Sequence, residues 1–337
     1  MRFLVLMSAA LAFAGCDVAG RPARGRTEVT FQGGTPVADN APVNFTVTVR
    51  DAEGHPVKDA AVTYKVDDAE GITFTGDGDR TGKDGVVKAS IASTRVGEKS
   101  LLVTITGSEN TITLAAEKVT FVAGAPEALR FVDQPTLTRA GIVMSPAVTV
   151  EVLDHYGNRC TNGIYAAYLE LVRSSGGTVQ NGGTAQHLIA AVQGLITFDN
   201  LIINKPQTGY ALRVRTPENN GPADESAQFD ILLGEFSAAT STVNKSPTVS
   251  LPPDGSNFFT ITLTAKDAGG NVLAEQQPTF SVSPPENCSF STPMTTPTTG
   301  ADGVSAPAVF LTCTTFGART VTATIGTVSV STIVSFN

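Results

Sequence analysis

The sequence predicts an all-β chain of short antiparallel hairpins, organised as three successive repeats. Three observations predict this. The 337 residues include no Trp and only 3 His, while Thr, Val, Ser, Gly and Ala prevail, a composition that favours strands and turns over helices. Apolar and polar residues alternate in short runs that stop at Asp/Gly clusters. These runs recur in the same order at distant places, and the length allows two or three domains.

The first element is a processing signal. Arg2 supplies a positive start, and Phe3 to Phe13 is an apolar run too short to span a bilayer and suited to a signal-peptide core. Ala14 and Gly15 precede Cys16, and the segment resembles a bacterial lipoprotein signal, with Phe13 standing where Leu is usual. The resemblance implies cleavage before Cys16 and fatty acylation of its sulfur and its new amino terminus; an ordinary secretory peptide with a chance cysteine is the alternative. Each buried CH₂ contributes roughly 0.8 kcal/mol, so one acyl chain holds weakly and two or more hold stably. No later apolar run is long enough for a membrane helix. Residues 17–26, "DVAGRPARGR", are small, polar and unpatterned, and read as a flexible tether.

The repeats come next. "FTVTVRDAEGHPV" (45–57) and "FTITLTAKDAGGNVL" (259–273) both alternate and then turn at Asp-Ala-x-Gly, which puts Phe45, Val47 and Val49 on one face, and Phe259, Ile261, Leu263 and Ala265 on another. "TGKDGVVKASIASTRVGEKSLLVTI" (81–105) pairs with "TGADGVSAPAVFLTCTTFGARTVTATI" (299–325): Thr-Gly-x-Asp-Gly-Val starts a strand, Gly97 or Gly317 turns the chain, and a Thr/Val-rich strand returns. Between them, "PAVTVEVLDHYGN" (146–158) and "QGLITFDNLIINKPQTGYALRVRT" (193–216) repeat the logic, with Gly194 and Gly209 expected at turns. The joints "KVTFVAGAPEALRF" (118–131) and "FDILLGEFSAATST" (229–242) run from one strand through small residues into the next.

On these residues the chain resembles the invasin/intimin-type bacterial Ig-like domain, whose pattern is Asp-x-x-Gly-Asn, then Thr-Asp-x-Asn-Gly-x-Ala, then Ser-Thr-x-x-Gly. The first repeat keeps Asp51, Gly54, Asp84, Gly85, Ser93, Thr94 and Gly97; the last keeps Asp267, Gly270, Asn271, Asp302, Gly303 and Gly317; the middle one, through "LRFVDQP", "DHYGN" and "GLITFDNLII", looks like a related repeat. The resemblance implies three tandem antiparallel Ig-like β-sandwiches of about 100 residues each. The expected organisation is signal peptide 1–15, tether 16–26, and Ig-like domains at 27–122, 123–235 and 236–337, each a separable unit in an end-to-end series.

Candidate sites are few. Asp77, Asp79 and Thr81 are spaced like the start of a Ca²⁺ loop, but the twelfth position, where a bidentate Glu belongs, is Lys88; a solvated turn is the plainer reading. His55, His155 and His187 fall in three different repeats and cannot easily converge on a metal or a catalytic centre. No phosphate loop and no Gly-x-Ser-x-Gly are present. Tyr64, Tyr156, Tyr165, Tyr168 and Tyr210 could line a sugar-binding face, although packing in the core or rim suits them better without Trp or an aromatic ladder. Cys288 and Cys313 lie on strands of the last repeat, where a disulfide would close a loop of roughly 25 residues worth about 3–4 kcal/mol in the chain-entropy picture; two buried thiols are the alternative. Cys160 has no partner in its repeat and is expected free and partly exposed.

Lys and Arg number 23 against 31 Asp and Glu, a net charge of −8 that disfavours nucleic acid and anionic lipid. The expectation is a non-catalytic envelope lipoprotein with no cofactor. It is held to the membrane, more readily the outer membrane or cell surface than the inner membrane, through Cys16, and serves as a structural or adhesive module for a protein or cell-surface ligand. The alternative is an accessory subunit of an envelope or secretion complex, docking a partner on strand edges or loops.

Overall fold

The computed structural model describes residues 20–76, 78–181, 188–218, 221–291 and 295–337. These residues form 28 strands and one 3₁₀ turn, Arg24–Arg26, with no α-helix among them. They divide into two compact units. One holds residues 20–128, 151–165 and 192–195; the other holds 129–150, 166–191 and 196–337.

The first unit contains a complete sandwich. One sheet runs in the order Glu28–Phe31, Val43–Thr48, Val86–Ser93, Ile72–Gly76; in the other, Gly97–Thr106 pairs with Ala61–Val66, Thr111–Thr113 and Glu117–Phe121. The strands form because their inward positions are apolar. Along Gly97–Thr106 burial alternates residue by residue, and Leu101, Val103 and Ile105 are fully buried. Phe45, Val47 and Val49 lie on one inward face, as their spacing predicts, in a core shared with Val62, Ile91 and Phe121. Burying each such side chain contributes roughly 1.5–3 kcal/mol.

The second unit closes with a sandwich of the same order: Thr242–Ser246, Phe259–Thr264, Val309–Cys313, Cys288–Ser291 face Thr279–Ser283, Gly317–Ile325, Val328–Phe336. Phe259, Ile261, Leu263 and Ala265 fill its core with Leu311, Val321 and Phe336. Cys288 and Cys313 are opposite one another in the ladder and are disulfide-bonded. The same unit carries strands of the middle repeat, in which Ala166–Val172 and Phe229–Leu232 flank Gln207–Arg215 around buried Leu169, Tyr210, Leu212 and Ile231. Gly209, expected at a turn, instead lies inside Gln207–Arg215 where the register shifts against Phe229–Leu232; its φ of +73° marks it as the glycine of a bulge.

The long pairings are antiparallel, but each repeat adds one short parallel contact between an early segment and its last strand: Val37 with Val122, Thr138 and Arg139 with Ile231 and Leu232, Leu251 with Phe336. The threefold recurrence is therefore structural as well as sequential. The paired Thr-Gly-x-Asp-Gly-Val segments also act alike. The Thr81 hydroxyl donates to the Val57 carbonyl and accepts from Ala60 N–H, as Thr299 does with Leu273 and Gln276. Asp84 and Asp302 each accept an N–H two residues on, from Val86 and Val304. Gly85 and Gly303 sit at φ +76° and +75°, with Val49 O or Ala265 O where a Cβ would go, at 2.5 and 2.8 Å. From Gly20 the chain is docked rather than free, so the expected tether is shorter than residues 16–26. Pro22 and Ala23 are buried, Ala23 N–H donates to Arg50 O at 2.8 Å, Asn110 Nδ2 donates to Pro22 O at 3.0 Å, and Arg21 pairs with Glu109.

Gly303→Ala should therefore cost more than the roughly 1–2 kcal/mol of a left-handed alanine, because a backbone carbonyl blocks the methyl as well. Gly270→Ala, at φ +86° in open space, should cost only the conformational part. Urea unfolding of the two variants is expected to place Gly303→Ala at the lower midpoint.

Candidate functional site

In each repeat an early strand runs into the same five-residue turn: Asp51-Ala-Glu-Gly-His55, Asp154-His-Tyr-Gly-Asn158 and Asp267-Ala-Gly-Gly-Asn271. The local folding is dictated by the first and fourth residues. The aspartate N–H donates to the carbonyl of the fifth residue at 2.9–3.0 Å, and the glycine N–H donates back to the aspartate carbonyl at 3.0–3.1 Å. The glycines stand at φ +92°, +80° and +86°, a conformation that costs other residues free energy. The aspartate side chain folds over its own turn: Oδ1 accepts the N–H of the fifth residue at 2.8 Å in all three copies.

The other carboxylate oxygen reaches out of the turn. Asp51 Oδ2 accepts Gly20 N–H at 3.0 Å, Asp154 Oδ2 accepts Gly124 N–H at 3.0 Å, and Asp267 Oδ2 accepts Gly234 N–H at 2.9 Å. Gly124 and Gly234 belong to the predicted small-residue joints, so this carboxylate captures the chain as it enters each repeat. All three aspartates are almost fully buried, at 2%, 3% and 0% exposed, and are satisfied by N–H groups. The Gly20 N–H is the foremost influence holding the Asp51 carboxyl below the ordinary carboxylate range. For Asp154, burial pushes the carboxyl up, but the amide of Asn158 together with the Gly124, Asn158 and Tyr156 N–H groups outweighs it, and the net shift is down.

The fifth residue makes a second connection. Asn158 Nδ2 donates to Asp154 and to Thr94 O at 3.0 Å, while Asn158 Oδ1 accepts Val96 N–H at 3.3 Å. Thr94 and Val96 form the turn after strand Val86–Ser93 of the first repeat. Asn271 Nδ2 likewise donates to Asp267 and to Asn204 O at 2.7 Å, Asn204 following strand Leu201–Ile203. Backbones come close there: a Cβ on Gly269 would lie 2.3 Å from Asn204 O, and one on Gly141 2.2 Å from the Ala268–Gly269 peptide. In the first repeat the fifth residue is His55, whose Nδ1 lies 3.5 Å from Asp51.

The other predicted residues are placed as follows. Cys16, Asp77 and His187 lie outside the described residues. Thr81, the third residue of the suggested Ca²⁺ loop, spends its hydroxyl on Val57 and Ala60. Asp51, Glu53 and His55 bring one ligand atom each to within 4.8 Å of one another, but the Asp51 oxygens are already taken by three backbone N–H groups. His155 pairs with Glu127 at 3.0 Å. Tyr210 is core, and Tyr64 packs between Phe45 and Phe74, its hydroxyl pushed up to about 12 by burial. Tyr168 lies under the Arg215 guanidinium at 4.8 Å. Cys160 is free but fully buried rather than partly exposed; burial first, and the Asp154 charge second, push its thiol up to about 11, so it is an inert packing residue.

Comparison with known proteins agrees with this architecture. Residues 25–122 match the family model for the bacterial Ig-like domain (group 1). The solved structure of FdeC, an Escherichia coli adhesin, is 26% identical, with a TM-score of 0.50, over 95% of this chain and 99% of that one. InvD of Yersinia pseudotuberculosis is 16% identical, with a TM-score of 0.43, over 94% of this chain and 98% of that one. Invasin, described as a bacterial integrin-binding protein, is 16% identical, with a TM-score of 0.30, over 92% of this chain and 60% of that one. No curated protein sequence matches the chain.

Because the Asp154 pKa is lowered in the fold, its contribution to stability is complete above the unfolded value of about 3.9 and is lost as pH falls from there through the folded value. Asp154→Asn is expected to melt below the parent chain at pH 7, with the gap closing below about pH 4. Thermal melts of both chains from pH 7 to pH 2 check this, since the other carboxylates are common to both.

Proposed function

We propose that this chain, whose first repeat is a bacterial Ig-like domain, is a non-catalytic adhesive or structural module of the bacterial envelope, exported and held to a membrane by lipid on Cys16. The observation that carries the reading is the threefold repeat with one joint device, in which the buried polar groups of the recurring turn are spent on connecting the chain to itself rather than on chemistry. The likeness to FdeC over nearly the full length of both chains supports the adhesive side of it. Among the described residues no helix is long and apolar enough to cross a membrane, which fits a lipid as the attachment.

The docked N-terminal segment gives the anchor a geometric consequence. Only residues 17–19 separate Cys16 from Gly20, which is held by Asp51. Four residue steps reach at most about 14 Å. A lipid on Cys16 would therefore keep the first sandwich at the headgroup surface. The net charge of −8 adds no attraction to anionic lipid, so attachment would rest on the acyl chains.

Detergent phase separation of membranes from cells expressing the full chain is expected to place it in the detergent phase and Cys16→Ala in the aqueous phase. Partition of Cys16→Ala with detergent would reject the lipid anchor. The released Cys16→Ala protein is then expected to bind whole cells or matrix-coated surfaces saturably. Absence of such binding, with co-isolation of an envelope complex instead, would replace the adhesive role by that of an accessory subunit.

A further inference from the structure

We propose that the turn at Thr314–Gly317 is a docking surface for an Asp-x-x-Gly-Asn turn carried by a further Ig-like domain. The Thr314–Gly317 turn is equivalent in register to one in the first repeat. In the first repeat Ile72 opposes Ser93 and Gly97 opposes Phe121; in the last, Cys288 opposes Cys313 and Gly317 opposes Phe336. Thr314 therefore stands where Thr94 stands, and Phe316 where Val96 does, each ahead of a glycine of nearly the same conformation, φ +117° at Gly97 and +124° at Gly317.

Both earlier copies of this turn are occupied. The Thr94 carbonyl and Val96 N–H take the two halves of the Asn158 amide, and the Asn204 carbonyl takes Asn271 Nδ2. The third copy has no such occupant among the described residues, where neither the Thr314 carbonyl nor the Phe316 N–H has a hydrogen-bond partner. Phe316 is 75% exposed, a large apolar side chain beside an open carbonyl and an open N–H.

The turn is also held ready. In the first repeat the Ser93 hydroxyl fixes it, donating to Arg95 O at 2.7 Å and accepting Arg95 N–H at 3.0 Å. The last repeat has disulfide-bonded Cys313 in place of Ser93 and buried Arg319 in place of buried Lys99, and Arg319 donates to Thr315 Oγ1 at 2.8 Å and to Cys288 Sγ at 3.2 Å. A turn fixed before docking loses little freedom on docking.

The chemistry selects the partner. It must present a side-chain amide at the fifth position of an aspartate-folded turn, with N–H for Thr314 O and oxygen for Phe316 N–H, and apolar surface to cover the Phe316 ring. The first repeat of a second copy does not qualify, because its fifth residue is His55, with Nδ1 already directed at Asp51. The partner is thus an Ig-like domain whose turn ends in Asn, not a head-to-tail copy of this chain.

The inference rests on the repeat equivalence and not on the adhesive reading, so either can fail alone. The test extends the full chain after Asn337 with a second copy of residues 123–235, bearing the Asp154–Asn158 turn, and separately with a second copy of 234–337, bearing the Asp267–Asn271 turn. Appending the probe supplies it at high effective concentration. Amide exchange at Phe316 is expected to slow about tenfold or more in at least one extended chain. It should return to the parent rate when the appended copy carries Asn→Ala at the position of Asn158 or Asn271. Parent-like exchange at Phe316 in both extended chains, or slowing that survives Asn→Ala, would overturn the proposal.

Discussion

A buried carboxylate that holds the incoming chain is the interaction on which the repeats depend. Asp51, Asp154 and Asp267 each fold a turn with one oxygen and hold a glycine N–H with the other, so a single side chain ties the end of one strand to the point where the chain enters that repeat. A carboxylate buried without such donors would be expelled or neutralised; with them it is fixed in charge and orientation. A Cβ on Gly20 would meet nothing within 4 Å and one on Gly124 nothing nearer than 3.7 Å, so only at the third joint does the approach itself require glycine. For Gly234 a Cβ would sit 2.7 Å from the Asp267 Cβ.

The asparagine that follows extends this economy to the preceding repeat. Asn158 and Asn271 stand on their own aspartate and reach a backbone carbonyl of the turn before them, so the geometry of one turn sets the position of the next contact. Repeat proteins owe their stability to intrinsic terms and nearest-neighbour terms. Here the neighbour terms include these side-chain to backbone bonds, whose geometry recurs from one joint to the next.

Much of this was visible in the sequence, for physical reasons. Period-two alternation marked Phe45, Val47 and Val49, and Phe259, Ile261 and Leu263, as inward faces, because a strand has only two sides. Asp-Gly pairs marked turns because few residues tolerate positive φ. The pairing of Cys288 with Cys313 followed from two cysteines on strands of one repeat. What was not visible is whatever depends on distant backbone. Gly20 reads as tether until Asp51, 31 residues on, is seen to hold it. Gly209 reads as a turn until its register against Phe229–Leu232 is known. Cys160 reads as exposed because it follows a polar turn, yet its thiol points to Gly124 O at 3.6 Å, inside the joint. The recurrence of Gly20, Gly124 and Gly234 at separations of 31, 30 and 33 residues from their aspartates was a signal that could have exposed the device.

Each captured group is a glycine N–H, so amide exchange of the chain labelled with ¹⁵N-glycine reads the three capture bonds one by one. Gly20, Gly124 and Gly234 are expected to exchange far more slowly than the exposed turn glycines Gly33 and Gly34, and Asp51→Ala, Asp154→Ala and Asp267→Ala each to release their own glycine. Exchange of the three at the rate of Gly33 and Gly34 in the parent chain would contradict capture by the aspartates.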